Sequence, residues 1–377
     1  MKPLLRKLTL KERLLDILLK SDGFVSVLVV LLGFIIATVL VIATGRSPGG
    51  MYSSLLQVVS GFDARRGVWN VRYVGEWLVI SMPLILCGFS MAFASRTGLF
   101  NIGAEGQYVA GITAAQIVAI YGPQIPVVHA LLAVIAAIAA GGLLGGFVGY
   151  LKARYSVSEV VATIMMNYIA LYIHRWVSLG LPGGTTYKTQ DFPVTSRLSS
   201  SFMESFTNGS HLNYGIFLTT GAILFFWIVM GKMRLGYSLR ATGYNKEAAR
   251  CAGINVNRNI TAAMGIAGAF AGLAGAIVSL GSLTYGRILA GQDGYGFDGI
   301  AVALVGNNTA FGTTIAGLLF GMLKSAQPLM QTRQIPKEIA SIIVGLVVVF
   351  ISLRTGLRMI VEWYTKSQTR KEESPEQ

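Results

Sequence analysis

The chain has 377 residues, of which 53% are hydrophobic and only 13% charged; a soluble domain carries about twice that charge, so an ordinary soluble fold is excluded. The formal net charge of +14 does not point to nucleic acid, because the basic residues lie at the ends of apolar segments, as positive-inside anchoring of a membrane protein requires. Of the two cysteines, Cys87 falls in an apolar stretch and Cys251 in a basic loop, a spacing that suits neither a disulfide nor a metal site.

The N-terminal segment, residues 1–23, carries Lys2, Arg6, Lys7, Lys11, Arg13 and Lys20. The apolar run behind it is long enough to cross a bilayer and longer than a signal-peptide core, so it is expected to be retained. Apolar stretches then predict about ten membrane-spanning helices, near 24–44, 73–95, 101–121, 126–150, 159–179, 213–231, 260–284, 298–308, 311–330 and 337–353. The expectation is an all-α integral membrane protein with a transmembrane domain over 24–353. Residues 45–71 and 181–211 read as solvated loops, and 354–377 as a polar tail. With the N-terminus inside, 20 of the 31 Lys and Arg residues fall on one side. Both termini and the loop 232–259 are therefore expected in the cytoplasm.

The eighth span is short. Phe297 to Gly306 gives ten residues, or roughly 15 Å of helix, half a hydrocarbon core, and Asn307-Asn308 interrupts it. Such a break must sit against protein or a wet cavity. Three segments recur in order: Phe100–Ala104 with Phe297–Ala301, Gly142–Lys152 with Gly317–Lys324, and Ser158–Ala162 with Lys337–Ser341. In the ten-span topology each pair runs in opposite directions, which predicts a five-plus-five inverted repeat. Inverted repeats place a solute path at the midplane near broken helices. The candidate path residues are therefore Asn101, Glu105 and Gln107 in one half, and Asp298, Asn307 and Asn308 in the other. Glu105 and Asp298 are costly at membrane depth; they either line the path or cap helices at an interface. Small-xxx-small pairs (Gly141/Gly145, Gly142/Gly146, Gly145/Gly149, Gly268/Gly272, Gly317/Gly321) predict close helix packing.

The loop 232–259 is the most informative segment. Asn245 is a good N-cap, Lys246–Ala252 (with Glu247, Ala248 and Ala249) reads as a short helix, and Gly253 is its stop. A helix so short is marginal alone and is expected to dock on something. The pattern carried by Gly236, Ser238, Arg240, Ala241, Gly243, Asn245, Ala248, Ala249, Gly253 and Ile254 resembles the cytoplasmic coupling segment of ABC-importer permeases for ribose, simple sugars and nucleosides. Thr97–Gln107 resembles the third-span signature of the nucleoside branch, and the likeness runs from about 75 to 355. The resemblance implies a permease subunit of the bacterial plasma (inner) membrane with no catalytic chemistry and no cofactor of its own. It would work with ABC ATPase subunits, a second permease, identical or related, and an extracytoplasmic substrate-binding lipoprotein, and would import nucleosides or a similar small polar solute. It further implies that Gly236, Arg240, Gly243, Asn245, Glu247, Ala248, Ala249 and Gly253 form the ATPase-coupling segment.

No phosphate-binding loop occurs, so ATP would be hydrolysed by another chain. Gly294-Tyr-Gly-Phe-Asp-Gly299 matches GxGxxG formally but has no strand before it, and reads as a flexible lead into the half-helix. His129, His174 and His211 have no metal-ligand spacing. The alternatives left open are a ribose-type sugar permease and, from another class, an ion-coupled secondary transporter with Glu105 or Asp298 titrating.

Overall fold

A computed structural model describes residues 22–352; the basic N-terminal residues and the polar tail expected in the cytoplasm lie outside them. Each of the ten apolar stretches is a helix. They are α1 (Asp22–Ala43), α3 (Arg72–Ser95), α4 (Ala104–Tyr121), α5 (Val128–Tyr155), α6 (Glu159–Leu179), α8 (Gly215–Lys232), α11 (Val256–Gly281), α12 (Tyr295–Val305), α13 (Ala310–Thr332) and α14 (Glu338–Ser352). Six of them, α1, α3, α5, α6, α8 and α11, are long and apolar enough to cross a membrane. The chain is thus a helical, multi-pass membrane protein.

The loops are more ordered than their composition suggested. Residues 45–71 hold α2 (Pro48–Ser60) and a hairpin of β1 (Phe62–Asp63) with β2 (Val68–Trp69). Arg333 fixes α2, its guanidinium donating to the Gly50 carbonyl at 3.0 Å and to Gln57 Oε1 at 2.6 Å. Residues 181–211 hold β3 (Lys188–Asp191) and α7 (Ser201–Phe206), and β3 pairs antiparallel with β4 (Tyr285–Arg287). Between α8 and α11 lie two helices, α9 (Arg234–Tyr244) and α10 (Lys246–Cys251). The β3–β4 pair and the α9–α10 pair mark opposite faces of the bundle.

At the centre are α3 and α11, with 83% and 78% of their apolar windows buried, against 28–33% for the other four long helices. The peripheral helices instead turn Leu143, Phe147, Trp176 and Phe217 outward, the polarity expected of helices that meet lipid. One core joins α3–α6, α8 and α11, and a second joins α1, α2, α13 and α14. Both draw on α3 and α12.

Glycine sets the distance between the central helices. Gly141, Gly145 and Gly149 of α5 lie on the backbone of α11 at Gly268, Gly272, Met264 and Thr261. A Cβ on Gly268 would fall on the Gly141 carbonyl oxygen and 2.9 Å from its carbon. The small-xxx-small pairs therefore serve packing within the subunit, as apolar helices without a hydrophobic drive to associate require. Gly317 and Gly321 of α13 rest likewise on Ile85 and Ser81 of α3. This register makes α13 antiparallel to α3, whereas Gly299 against Cys87, with Asn308 beside Arg96, makes α12 parallel to it.

Replacing Gly268 with Leu should force α5 and α11 apart. A loss of about 1–3 kcal/mol or more is expected for overpacking, read as a lower unfolding temperature of the detergent-solubilised protein. An unchanged temperature would contradict the zipper.

Candidate functional site

After β4 the chain does not return to helix at once. Residues 288–294 have no regular structure, with Ile288 and Leu289 buried and Ala290 and Gly291 exposed, and then enter α12. Irregular backbone at membrane depth must find partners inside the protein, and side chains supply them. Thr189 Oγ1 accepts from the Gly286 N–H at 3.1 Å, and Gln116 Nε2 donates to the Arg287 carbonyl at 3.0 Å. His174 Nε2 accepts from the Leu289 N–H at 3.2 Å, while its Nδ1 lies 2.9 Å from Thr113 Oγ1. Glu105 receives the chain where α12 begins. Its Oε1 accepts from the Gly294 N–H at 2.8 Å and its Oε2 from the Gly296 N–H at 2.6 Å. The carboxyl group of α4 thus caps α12, at the end where a helix favours an acid.

The same logic holds at the start of α4. Asn101 Oδ1 accepts from the Gly103 N–H at 3.1 Å, and Asn167 Oδ1 accepts from the Gly106 N–H at 2.7 Å. Asn101 Nδ2 donates to Ser90 Oγ and to Gln107 Oε1, each at 2.9 Å. Asn101, Glu105 and Gln107 are all fully or almost fully buried. Of the three predicted residues of the first half, Asn101 and Gln107 therefore bond each other, while Glu105 turns to the meeting point of α4 and α12, where Gly296 lies against the backbone of Ala104 and Glu105. Of the glycines of Gly294–Gly299, Gly296 and Gly299 pack against helix backbone, while Gly294, at φ +83°, lies in open space and is held through its N–H.

The second half behaves differently. Asp298 forms an ion pair with Lys324, their side chains about one quarter exposed, and the Lys324 ammonium lies 5.0 Å from the centre of the Tyr295 ring. Nearby, Tyr108 donates to Asp293 at 2.9 Å and Arg287 pairs with the same carboxyl group. Sequence reasoning missed Lys324 as a site residue; a lysine inside the predicted 311–330 span was the available signal. Asn307 and Asn308 lie apart from this cluster, at the α9–α10 face. Both have φ of +52°, a left-handed conformation that asparagine tolerates, and Thr309 then caps α13 by accepting from the Gly312 N–H at 3.1 Å. Arg96 donates to the carbonyls of Asn308 and Asn307 at 2.8 and 3.4 Å.

The segment 232–259 folds as its sequence suggested, with one addition, the helix α9. Asn245 Oδ1 accepts from the N–H groups of Glu247 and Ala248, both at 3.0 Å. At the other end Gly253, at φ +78°, closes α10 with bonds from its own N–H to the Arg250 carbonyl and from Ile254 to Ala249, a Schellman ending. Ala248 and Ala252 are exposed, as is Glu247, which pairs with Arg250 at 2.8 Å, but Ala249 is buried within the subunit. Two glycines tie α9 to the bundle. Gly236 lies against Val229 and Met230 of α8, and Gly243 against Arg96–Gly98, with room for no Cβ. Gly98 itself has φ +73°, so the two glycine backbones touch where α3 turns toward α4. Arg240 is half-buried beside them.

With this geometry in view, the chain's relatives are informative. A family model described as a branched-chain amino acid transport system permease component matches residues 73–352, and the chain belongs to that family of transport subunits, which are not enzymes. It is 39% identical over 344 residues to the guanosine ABC transporter permease protein NupP of Bacillus subtilis, covering 90% of this chain and 96% of that one. It is 33% identical to the nucleoside ABC transporter permease protein NupB of Lactococcus lactis, covering 88% and 90%. The ribose import permease protein RbsC of Escherichia coli K12 is 29% identical over 64% of this chain and 73% of its own. No solved structure gives a significant match.

Exchanging Glu105 for Gln would turn one of the two acceptors into an amide donor facing a backbone N–H. The cap should weaken by about 1–3 kcal/mol, seen as a lower unfolding temperature; a wild-type temperature would show that the cap is dispensable.

Proposed function

We propose that the chain is the permease subunit of an ATP-driven importer of nucleosides, working in the bacterial inner membrane beside a second permease, with ATPase subunits docked on α10 and a substrate-binding lipoprotein on the opposite side. The observation that carries the reading is the α9–α10 segment: a helix capped at both ends, exposed along Glu247, Ala248, Arg250 and Ala252, and joined through Gly243 to the backbone at Gly98. Force on α10 would pass through α9 to the turn that leads into Asn101, Glu105 and the start of α12. Ten spans with both termini in the cytoplasm fit the Lys and Arg bias. An inverted repeat is supported by the opposite directions of α4 and α12 and by the contact of their N-terminal ends.

In this reading Asn101, Glu105 and Gln107 shape the break from behind. The partly exposed Asp298–Lys324 pair borders the solute path, because charges at this depth must face water or one another. Asn307 and Asn308 mark the cytoplasmic end. Nucleosides are favoured over sugars because two relatives named for nucleoside or guanosine transport each cover about nine-tenths of the chain.

In proteoliposomes with its ATPase, partner permease and binding protein, uptake of labelled guanosine should require ATP inside; uptake by the chain alone on an ion gradient would overturn the assignment. Ala248→Glu should place an unpaired carboxylate in the docking surface and weaken ATPase association by more than about tenfold, with the permease still folded. Undiminished capture of the ATPase would remove α10 from the contact.

A further inference from the structure

Two contiguous cavities open on the α9–α10 face, and both are lined by Arg96, Arg240 and Asn308. The first, of ≈ 270 Å³, is polar and adds Tyr244 and Asn307. The second, of ≈ 390 Å³, continues along Phe226, Trp227 and Met230 of α8. Neither lining contains an Asp or Glu. Arg96 directs its Nε and Nη2 to the two asparagine carbonyls and keeps the rest of its five N–H donors. Arg240 has no hydrogen bond or ion pair among the described residues, and Asn308 Oδ1 is buried without a partner. Burial lowers the pKa of Arg96, and while Tyr244 raises it the nearby charge of Arg240 lowers it further, so the two cations feel each other. Half-buried like charges without a counterion are unfavourable, and a neutral nucleoside would not relieve them.

The outer wall of the second cavity points to the source of the missing anion. Trp227 (41% exposed) and Phe311 (61% exposed) lie with ring centres 6.4 Å apart, and the Lys232 ammonium sits 5.7 Å from the Trp227 ring. An exposed aromatic pair beside a lysine at a helix end is the mark of a membrane–water boundary. A polar lobe with two guanidinium groups therefore leads into an apolar lobe at the lipid boundary. Guanidinium matches phosphate oxygens.

We propose that this double cavity binds an anionic phospholipid, its phosphate between Arg96 and Arg240 and the start of one acyl chain along Phe226, Trp227 and Met230. The lipid would brace the joint between α9, the end of α3 and the Asn307–Asn308 turn. The site stands whatever solute is carried.

The test uses the full-length chain in nanodiscs of phosphatidylcholine with or without phosphatidylglycerol, and counts the lipids retained on gentle detergent extraction by native mass spectrometry. Retention of phosphatidylglycerol should exceed that of phosphatidylcholine by about fivefold. The preference should fall to near parity in Arg240→Gln and survive in Arg240→Lys and in Arg154→Gln, a basic residue elsewhere on the same face. Parity in the wild type, or an undiminished preference in Arg240→Gln, would overturn the proposal. So would an equal loss in Arg154→Gln, which would reduce the effect to diffuse surface charge. If inorganic phosphate alone displaced the retained lipid, the site would be one for free anions. If Arg240→Gln lost ATPase capture but kept its lipids, the two arginines would serve a carboxylate of that partner.

Discussion

The constraint on which the structure depends is that backbone N–H and C=O groups cannot go unpaired away from water. Two helices, α4 and α12, begin inside the bundle instead of at its surface, and one of them is reached by a stretch with no regular structure. Every helix start leaves N–H groups without intrahelical partners. Asn101, Asn167 and Glu105 take up those groups at the two helix starts, Thr189 and Gln116 serve the edge of β4, and His174 serves the chain between β4 and α12. The buried polar residues of this apolar protein are thus mainly structural. They allow α12 to begin within the bundle.

A break of this kind is tolerable only if the surrounding helices hold still. The glycine seam between α5 and α11 brings backbones into direct contact and leaves little room for sliding. Dispersion between closely packed surfaces does most of the holding where no hydrophobic drive separates helix from lipid. Against this frame the α12–α13 hairpin is attached mainly to α3, and α3 is also the helix whose end meets Gly243. The rigid part and the broken part of the molecule therefore share one element, and on the proposed mechanism motion of α9–α10 would reach the break through it.

Charge is distributed by the same economy. Glu105 is consumed by two backbone donors, whereas Asp298 and Lys324 pair with each other beside the Tyr295 ring and remain partly exposed. A residue with spare hydrogen-bonding capacity at membrane depth is better placed to meet a polar solute than one whose capacity is already used. This distinction separates two groups of residues that look equivalent in the sequence.

Composition and hydropathy by themselves determined the helical membrane class and the positions of the ten apolar helices, because both depend on local runs of side chains. Local chemistry also sufficed for α10: Asn245 and Gly253 act within a few residues of themselves, so cap and stop were legible. The glycine spacings foretold close packing for the same reason. What only the tertiary structure decided was which surface each residue meets. That Ala249 turns inward while Ala248 faces out, that α9 is helical, that Glu105 caps a helix almost two hundred residues away, and that Lys324 answers Asp298 all depend on contacts distant in sequence. A polar residue in an apolar stretch announces that its interactions matter. The partner comes from the fold, because hydrogen bonds and ion pairs are made in space and leave no mark on the sequence between them.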